Sequence, residues 1–314
     1  LVMEDTLTPR GNTAAVPAAP PIATRAMRLR NFWSDYRQSW VAISALIVIV
    51  ALLIGSFFAP YLVPQDPYDL AALDWLDAFL PPGSEGSGGY THLLGTDNAG
   101  RDMLSAILYG LRTSFMIGIS AGVLALAVGI TVGLTAAYFG GRIEALLMRI
   151  VDLQLSMPAI LLALVMVAML GQGIPQIVFA LVVAQYAYFA RTTHGAASVE
   201  RRKDYIEAAR STPLPTWRVM FKHLLPNVLP PLIVVATVQV ASAISLEATL
   251  SFLGVGLPLT EPSLGSLISN GFKYIHAGRY WLSIYPGIFL MITVVAINLV
   301  GDQVRTVIDP RNSR

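Results

Sequence analysis

The feature that most constrains this chain is an uncharged stretch that runs from Leu153 to Ala190. A helix needs about 20 apolar residues to cross the hydrocarbon core of a bilayer, so this stretch is too long for one crossing and long enough for two. The sequence Gly171-Gln-Gly-Ile-Pro175 interrupts it, and glycine and proline are the strongest local breakers. We therefore interpret the stretch as two membrane-spanning helices joined by a very short turn.

Four other apolar runs are long enough to cross a membrane as helices. Composition agrees, because 55% of the 314 residues are hydrophobic and 13% are charged, whereas a soluble domain carries about 25% charged residues. The predicted fold class is all-α, a polytopic membrane protein with six transmembrane helices. The four other runs lie at about Val41–Val63, Thr113–Phe139, Leu224–Leu246 and Trp281–Val300.

The second of the six spans contains two pairs of glycines at a spacing of four residues, Gly118 with Gly122 and Gly129 with Gly133. Small residues at this spacing lie on one face of a helix and let another backbone approach closely. We expect ordinary helix packing inside the membrane at both pairs. Pro158, inside the third span, is expected to bend its helix because proline removes a backbone hydrogen bond.

The distribution of lysine and arginine predicts the orientation, because short cytoplasmic loops carry the excess of these residues. The N-terminal segment, the loops after the second and fourth spans and the C-terminal tail are all rich in arginine. The segment after the first span instead holds seven acidic residues, from Asp66 to Asp102, against Arg101 and Arg112. We expect both termini and the loop between spans four and five to be cytoplasmic.

The predicted organisation has five parts and one functional loop. The first span is longer than the apolar core of a signal peptide, which has about 7–15 residues, so we expect it to be retained. The N-terminal tail is rich in Ala, Pro and Thr, a composition that predicts disorder. The parts are a cytoplasmic tail (1–38), the first span (39–64), a periplasmic segment (65–112), a five-span core (113–304) with a cytoplasmic loop near 192–223, here called the Glu207 loop, and a cytoplasmic tail (305–314).

Several kinds of chemistry are excluded by what the sequence lacks. Without cysteine, the chain has no disulfides, thiolate metal sites or cysteine nucleophiles. It has no Gly-x-x-x-x-Gly-Lys-Ser/Thr sequence to bind a nucleotide phosphate, and its four histidines lack metal-ligand spacing. A net charge of +2 gives no indication of nucleic acid. We expect no enzyme activity, cofactor, metal or nucleic-acid partner, and any energy for work must come from another chain.

The Glu207 loop is a polar segment of high helix propensity between two long apolar runs. Asp204 precedes a run of good helix formers, and Glu207 follows three residues later, close to the position where a helix N-terminus favours acidic side chains. Ala208 and Ala209 add a face with almost no side chain, which can press deep into a groove on a partner. Pro213 ends the predicted helix.

Three patterns resemble the permeases of bacterial ABC importers. Glu207-Ala208-Ala209, followed sixteen residues later by Leu225-Pro226, resembles the cytoplasmic EAA loop that docks onto the ATPase subunit. Leu94 to Asp102 resembles the Leu-Gly-Thr-Asp-x-x-Gly-Arg-Asp sequence of dipeptide, oligopeptide and nickel permeases, and Leu250 to Gly256 resembles another stretch of that family. Together the patterns extend over about Trp40 to Asp309 and match the second, C-type permease of a pair.

The resemblance implies a type I ABC-importer permease fold in the bacterial inner membrane, surrounded by the lipid bilayer. It also implies a homologous B-type permease as heterodimer partner, two cytoplasmic ABC ATPases that carry ATP and Mg, and a periplasmic or lipid-anchored solute-binding protein. The chain would form half of the pathway for peptides or a related small solute. Dipeptides, oligopeptides, nickel chelates, glutathione and opines all remain open as the solute, and the two ATPases can be identical or different.

Two departures from the family pattern concern local geometry. The family usually has glycine where this chain has Pro213, which makes the coupling turn stiffer. It usually has Pro-Ser-Trp-Gly where this chain has Pro262-Ser263-Leu264-Gly265.

Three groups of candidate site residues follow. Asp97, Arg101 and Asp102 either contact the binding protein, gate the outer mouth, or only form a local salt bridge and helix cap. The possible pathway residues are side chains inside the spans that either contact solute or hydrogen-bond between helices. The ATPase-coupling residues are Asp204, Tyr205, Glu207, Ala208, Ala209, Arg210, Ser211, Pro213, Leu225 and Pro226, and the possible pathway residues are Gln154, Met157, Gln239, Ser242 and Glu247.

Two other classes of membrane protein fit the sequence less well. A secondary transporter is expected to have several carboxylates in the middle of its spans or an inverted repeat, and neither is clear here. A membrane-embedded enzyme needs a clustered catalytic set, and the sequence spacing indicates none. Co-purification with a partner that carries a phosphate-binding loop would separate the importer from both.

The orientation can be tested directly because the chain has no cysteine of its own. We expect a cysteine in Gly88→Cys to be labelled by an impermeant reagent from outside the cell, and one in Ser198→Cys to be labelled only from inside. The reverse pattern would overturn the predicted topology.

Overall fold

The computed structural model describes residues 25–63, 65–67, 69, 74–211, 213–258 and 261–308. Of the predicted tails at 1–38 and 305–314, residues 1–24 and 309–314 lie outside the described residues. The described part of the N-terminal tail differs from the disorder that its composition predicts, because Arg25–Tyr36 form a helix. The described part is a bundle of helices with one short antiparallel hairpin, in which Ser84 pairs with His92.

Most of the helices follow one another with short connections, but residues 63–102 separate α3 from α4. Trp75–Asp77 and Ile275–Ala277 are short 3₁₀ turns, Val219–Leu224 is a π-helical segment, and the hairpin strands are β1 (Ser84–Glu85) and β2 (Thr91–His92). The α-helices are α1 (Arg25–Tyr36), α2 (Trp40–Phe57), α3 (Ala59–Leu62), α4 (Met103–Phe139), α5 (Gly141–Leu155), α6 (Ala159–Leu170), α7 (Ile174–Glu200), α8 (Asp204–Ser211), α9 (Thr216–Arg218), α10 (Leu225–Phe252), α11 (Leu264–Phe272) and α12 (Trp281–Ile308).

Five helical stretches in the described part are long and apolar enough to cross a membrane: α2, α4, α7, the continuous Thr216–Phe252 stretch that ends with α10, and α12. The pair α5 and α6 meets the same criterion only when taken together, which gives up to six spans. The predicted all-α class with six transmembrane helices is confirmed when this pair counts as one span.

The bent pair has a local cause. α5 ends at Leu155 and α6 begins at Ala159, with Pro158 between them and a bend of 91°. Proline has no N–H and disfavours a helical conformation in the residue before it, so the helix breaks there. The 12 residues of α6 extend about 18 Å, less than the roughly 30 Å of the hydrocarbon core.

Four of the membrane-spanning helices extend further than the predicted spans, and α10 runs to Phe252 and α12 to Ile308. α4 begins at Met103, ten residues before the predicted start at Thr113, because the Asp102 carboxylate accepts the N–H of Ser105 at 2.7 Å and caps the helix. α7 continues past Ala190 to Glu200, so the non-helical part of the Glu207 loop begins at residue 201. In contrast, α2 ends at Phe57, before the predicted boundary at residue 64.

The glycine pairs of α4 lie at close contacts between helices. A Cβ atom added to Gly129 would lie 2.3 Å from Cβ of Phe189 on α7, and one added to Gly118 would lie 2.5 Å from Cγ1 of Ile244 on α10. α4 therefore packs against α7 at one glycine pair and against α10 at the other. This is the close approach that the spacing predicts.

Two clusters of buried side chains position the sites described below. One, around Phe115, Leu264 and Trp281, joins α4, α11 and α12. The other, around Phe189 and Ile206, joins α4, α7, α8 and the π-helical segment. Each end of α4 is thus fixed to the segment that packs on it.

The glycine contact yields a stability prediction. Gly129→Ala places a methyl group within 2.3 Å of Phe189, and such overpacking costs about 1–3 kcal/mol. Gly195→Ala, on α7, is the control, because a Cβ there meets no atom within 4 Å and alanine favours a helix by up to about 1 kcal/mol. We expect thermal unfolding of the purified protein to show a lower Tm for Gly129→Ala and an equal or higher Tm for Gly195→Ala. Equal Tm values would contradict the packing.

Candidate coupling and pathway sites

The helix predicted in the Glu207 loop is α8, which spans Asp204–Ser211. Ile206 is completely buried and anchors α8 to the α4 and α7 cluster. Glu207 and Ala208 are exposed on the opposite side, and Ala209 is half-buried. α8 therefore presents an acidic, alanine-bearing face to its surroundings. The side chain of Arg210 lies outside the described set.

Tyr205 connects α8 to two other helices. Its hydroxyl donates a hydrogen bond to Glu200 at the end of α7 (2.5 Å) and accepts one from the Asn227 amide on α10 (2.8 Å). Lys203 pairs with the same Glu200 carboxylate at 2.7 Å. Burial and the bond to Glu200 raise the pKa of Tyr205 to about 12, so the hydroxyl keeps its proton and remains a donor. Tyr205 thus adds hydrogen bonds from α8 to both α7 and α10 to the packing of Ile206.

The chain between α8 and α10 is mostly helical and contains little loop. Pro213 is exposed after α8, and then α9 and the π-helical segment lead directly into α10 at Leu225-Pro226. Pro226 lies in the first turn, where a missing N–H is tolerated. Pro230 and Pro231 follow inside α10 and remove further backbone donors. Single π-helical turns occur frequently at functional sites.

A cavity of about 1140 Å³, here called the central cavity, lies between α7, α10 and α12 and the end of α5. Most of its lining is apolar, and the polar side chains converge from different helices. Arg191 in this wall pairs with Asp152 of α5. The polar lining residues are Tyr188, Arg191, Thr192, Asn227, Gln239 and Arg305.

Two polar side chains of the central cavity, Gln239 and Asn227, indicate what the cavity can bind and how it is connected to α8. Gln239, a predicted pathway residue, is only 7% exposed, and its Nε2 has no hydrogen-bond partner among the described residues. A buried amide left unpaired costs about 1–3 kcal/mol, so another molecule is expected to complete it. Asn227 is the residue that also bonds Tyr205. The central cavity and α8 thus share one side chain.

The other predicted pathway residues lie elsewhere. Gln154 donates to the carbonyl of Val183, Met157 is exposed beside the bend, and Ser242 is half-buried. Glu247 is fully buried. One of its carboxylate oxygens accepts a hydrogen bond from the Ser114 hydroxyl of α4 at 2.9 Å, and the other accepts one from the Ser251 hydroxyl of α10 at 2.8 Å. The geometry at Glu247 favours hydrogen bonding between helices over contact with solute.

The segment from residue 74 to 102, here called the Asp97 segment, packs on the first turn of α4. Asp102 caps α4 and lies 3.0 Å from Nδ1 of His92, which is completely buried. Oδ1 of Asp97 accepts the N–H groups of Ala99 (2.8 Å) and Arg101 (2.9 Å). Within the described residues, Arg101 has no ion pair within 4.0 Å, so the expected salt bridge is absent while the cap is present.

Sequence reasoning missed the buried contacts of His92 in this segment. Its Nε2 lies 3.9 Å from Oδ2 of Asp77, so the imidazole lies between two carboxylates. These residues are 10 and 15 positions apart in the chain, and no spacing rule connects them. Among the residues that the structure describes, no group of three or more His, Asp or Glu side chains could hold a metal.

Comparison with known proteins identifies the family. Residues 129–314 match the model described as binding-protein-dependent transport system inner membrane component, and residues 28–82 match the N-terminal TM domain of oligopeptide transport permease C. The di/tripeptide transport system permease protein DppC of Pseudomonas aeruginosa is 36% identical, over 94% of this chain and 96% of that protein. The dipeptide transport system permease protein DppC of Escherichia coli K12 is 37% identical, over 95% and 96%.

A solved structure has the same fold. The chain resembles one in the inward-facing MetNI methionine ABC transporter with a TM-score of 0.53 and 23% identity, over 65% of this chain and 97% of that one. The likeness in fold and the matches in sequence agree. This chain belongs to the family of binding-protein-dependent transport system inner membrane components, as a permease of the oligopeptide and dipeptide type.

Proposed function

We propose that this chain forms half of the pathway of an ABC importer for peptides or a related small solute, and that α8 couples it to an ATPase subunit. The observation that carries the proposal is the position of α8 between two surfaces. Glu207 and Ala208 are exposed on one side, and Tyr205 is bonded to the cavity residue Asn227 on the other. A movement of a partner that is bound to the exposed face can therefore be transmitted to the central cavity through Tyr205 and Asn227.

The proposed partners follow from the family to which the chain belongs. A homologous B-type permease would cover the open side of the central cavity and complete the pathway. Two ABC ATPases would bind ATP and Mg, and one of them would receive α8 in a groove. The solute-binding protein would approach from the side of the Asp97 segment. The relatives named as dipeptide or di/tripeptide permeases support a peptide as the solute.

The proposed orientation in the bacterial inner membrane places both termini on the side of the Glu207 loop. Arginine and lysine dominate that side, and acidic residues dominate the Asp97 segment. This arrangement puts α8 in the cytoplasm, where ATP is available, and the Asp97 segment in the periplasm.

The proposed mechanism depends on the hydrogen bonds of Tyr205, which connect three helices, and on the start of α10, which bends easily. ATP binding would draw the two ATPases together and displace α8 with them. Because Tyr205 holds both Glu200 and Asn227, the end of α7 and the start of α10 would move with α8. α10 begins after a π-helical segment and contains Pro230 and Pro231, so its first turns have fewer backbone hydrogen bonds to resist bending. The central cavity would then alternate its access between the two sides of the membrane.

The polar groups of the central cavity suit a peptide. A peptide backbone carries amide donors and acceptors that can form hydrogen bonds with the side-chain amides of Gln239 and Asn227. The variable side chains of a peptide can contact the apolar wall of the central cavity. The chain itself supplies no nucleotide site, because it lacks a phosphate-binding loop. Its proposed part in transport is therefore to move its helices with α8 and to present polar groups to the solute.

Glu207→Ala tests the coupling surface. A charge-assisted contact at a partly dry interface is worth about 1.5–3 kcal/mol, whereas stabilisation of the helix N-terminus alone is worth about 0.3–1 kcal/mol. We expect normal membrane insertion with at least tenfold weaker ATPase association, or hydrolysis uncoupled from uptake, measured by co-purification and transport in vesicles. Asp35→Ala, on an exposed acidic residue of α1 outside the proposed docking surfaces, is the control. Assembly and uptake at the parental rate would show that Glu207 is not a coupling residue.

Tyr205→Phe tests the connection from α8 to the central cavity. The variant keeps the ring and removes the hydroxyl that bonds Glu200 and Asn227. We expect ATPase association to persist and the amount of solute imported per ATP hydrolysed to fall several-fold, because a hydrogen bond to a carboxylate is worth about 1.5–3 kcal/mol. Tyr61→Phe, on an exposed tyrosine outside the loop, is the matched control. An unchanged ratio of uptake to hydrolysis in Tyr205→Phe would contradict the connection.

A further inference from the structure

The Asp97 segment and the end of α11 enclose a small cavity on the surface, here called the Arg101 notch. Its volume is about 270 Å³, which suits one side chain and is far smaller than the central cavity. Its charged and amide groups come from two parts of the chain. Asp97 and Arg101 lie on one wall, and Asn270 and Lys273 lie on the other.

The cationic groups of the notch have no carboxylate partner within the described part of the chain. Nε of Arg101 is buried and makes no hydrogen bond there. Neither Arg101 nor Lys273 has an ion pair within 4.0 Å among the same residues. Two cationic side chains that line one notch without a carboxylate within 4.0 Å favour an anionic group that binds from outside.

Asp97 does not fill this role, although it lines the notch. Its Oδ1 already accepts the N–H groups of Ala99 and Arg101. Burial raises the pKa of Asp97 above its usual value, against these hydrogen bonds and the nearby Arg101 charge, which lower it. Asp97 therefore serves the backbone turn, and the notch keeps an excess of positive charge.

The walls of the notch are held in place by contacts behind them. Nε1 of Trp281 donates to the carbonyl of Thr96 at 3.2 Å, just before Asp97. On the other wall, Tyr274 packs edge-on against Phe79 with ring centroids 5.0 Å apart. Arg279 donates to the carbonyl of the same Phe79 at 3.0 Å. A site that is formed before binding loses little conformational entropy when it is occupied.

We infer that the Arg101 notch receives an acidic side chain of the solute-binding protein. A carboxylate can take two hydrogen bonds from the planar guanidinium of Arg101 and a third from the Lys273 ammonium, and an Asp or Glu side chain fits the volume. This inference rests on the proposed function, because it needs the Asp97 segment to face the binding protein. It separates the three residues that the sequence grouped: Asp97 and Asp102 hold the backbone, and Arg101 binds the partner.

The test uses the complete importer in lipid nanodiscs with the solute-binding protein encoded beside it. The dissociation constant of the peptide-loaded binding protein is measured at several salt concentrations for Arg101→Gln, Lys273→Gln and the double variant. We expect about tenfold weaker binding for Arg101→Gln, about threefold for the exposed Lys273, and a shallower salt dependence for the double variant. Arg142→Gln, an exposed arginine of α5, is the control and should bind normally.

Two further arms identify the source of the carboxylate. Binding-protein variants with single surface Asp or Glu residues changed to Arg are combined with Arg101→Glu, and recovery by one such pair supports the inference. The measurement is also repeated with a peptide whose C-terminal carboxylate is amidated. If the effect of Lys273→Gln disappears with that peptide, the carboxylate belongs to the solute and the inference is wrong.

The remaining outcomes are also decisive. Normal affinity and salt dependence in the double variant would overturn the inference, while ATPase association and uptake by the same complex would leave the proposed function intact. Failure of the unmodified chain to associate with any ATPase would instead overturn the proposed function. If Arg101→Gln does not assemble, the exposed Lys273→Gln and the paired charge reversal with Lys273→Glu give the same test.

Discussion

The close packing of α4 against α7 and α10 is the constraint on which the rest of the structure depends. Inside a bilayer there is no hydrophobic force between helices, so association relies on contact between backbones that small residues permit. Gly129 supplies that contact toward α7, and Gly118 supplies it toward α10. α8 packs against these helices at the end of α7, through Ile206. The Asp97 segment likewise packs on the capped first turn of α4.

The sequence predicted the membrane-spanning helices and α8 from patterns that are local, but it did not predict α1 or α11. α8 follows from Asp204 and the helix formers after it, and the bend follows from Pro158. The extra length of α4 and α7 was missed because a charge was taken as the end of a span. Arg112 instead lies over the ring of Phe57, 6.0 Å from its centroid, and Arg191 pairs with Asp152. Both charges are accommodated by partners that are distant in sequence.

The candidate sites were less predictable because their roles depend on long-range partners. Gln239 and Glu247 are both polar residues of α10, about two turns apart. One lines the central cavity with an unpaired amide, and the other is enclosed by serine hydroxyls. No spacing along the helix distinguishes them, because the difference lies in what α4, α7 and α12 place opposite each side chain. The hydrogen bond between Tyr205 and Asn227, 22 residues apart, has the same origin.

The double role of Asn227 has a thermodynamic consequence. Asn227 is bonded to Tyr205 of α8 and also lies in the wall of the central cavity. If a partner on α8 changes the affinity of the cavity for solute by some factor, linkage requires solute in the cavity to change the affinity of α8 for that partner by the same factor. Under the proposed coupling, the same side chain would act in both directions, and a filled cavity would change the affinity of α8 for its partner.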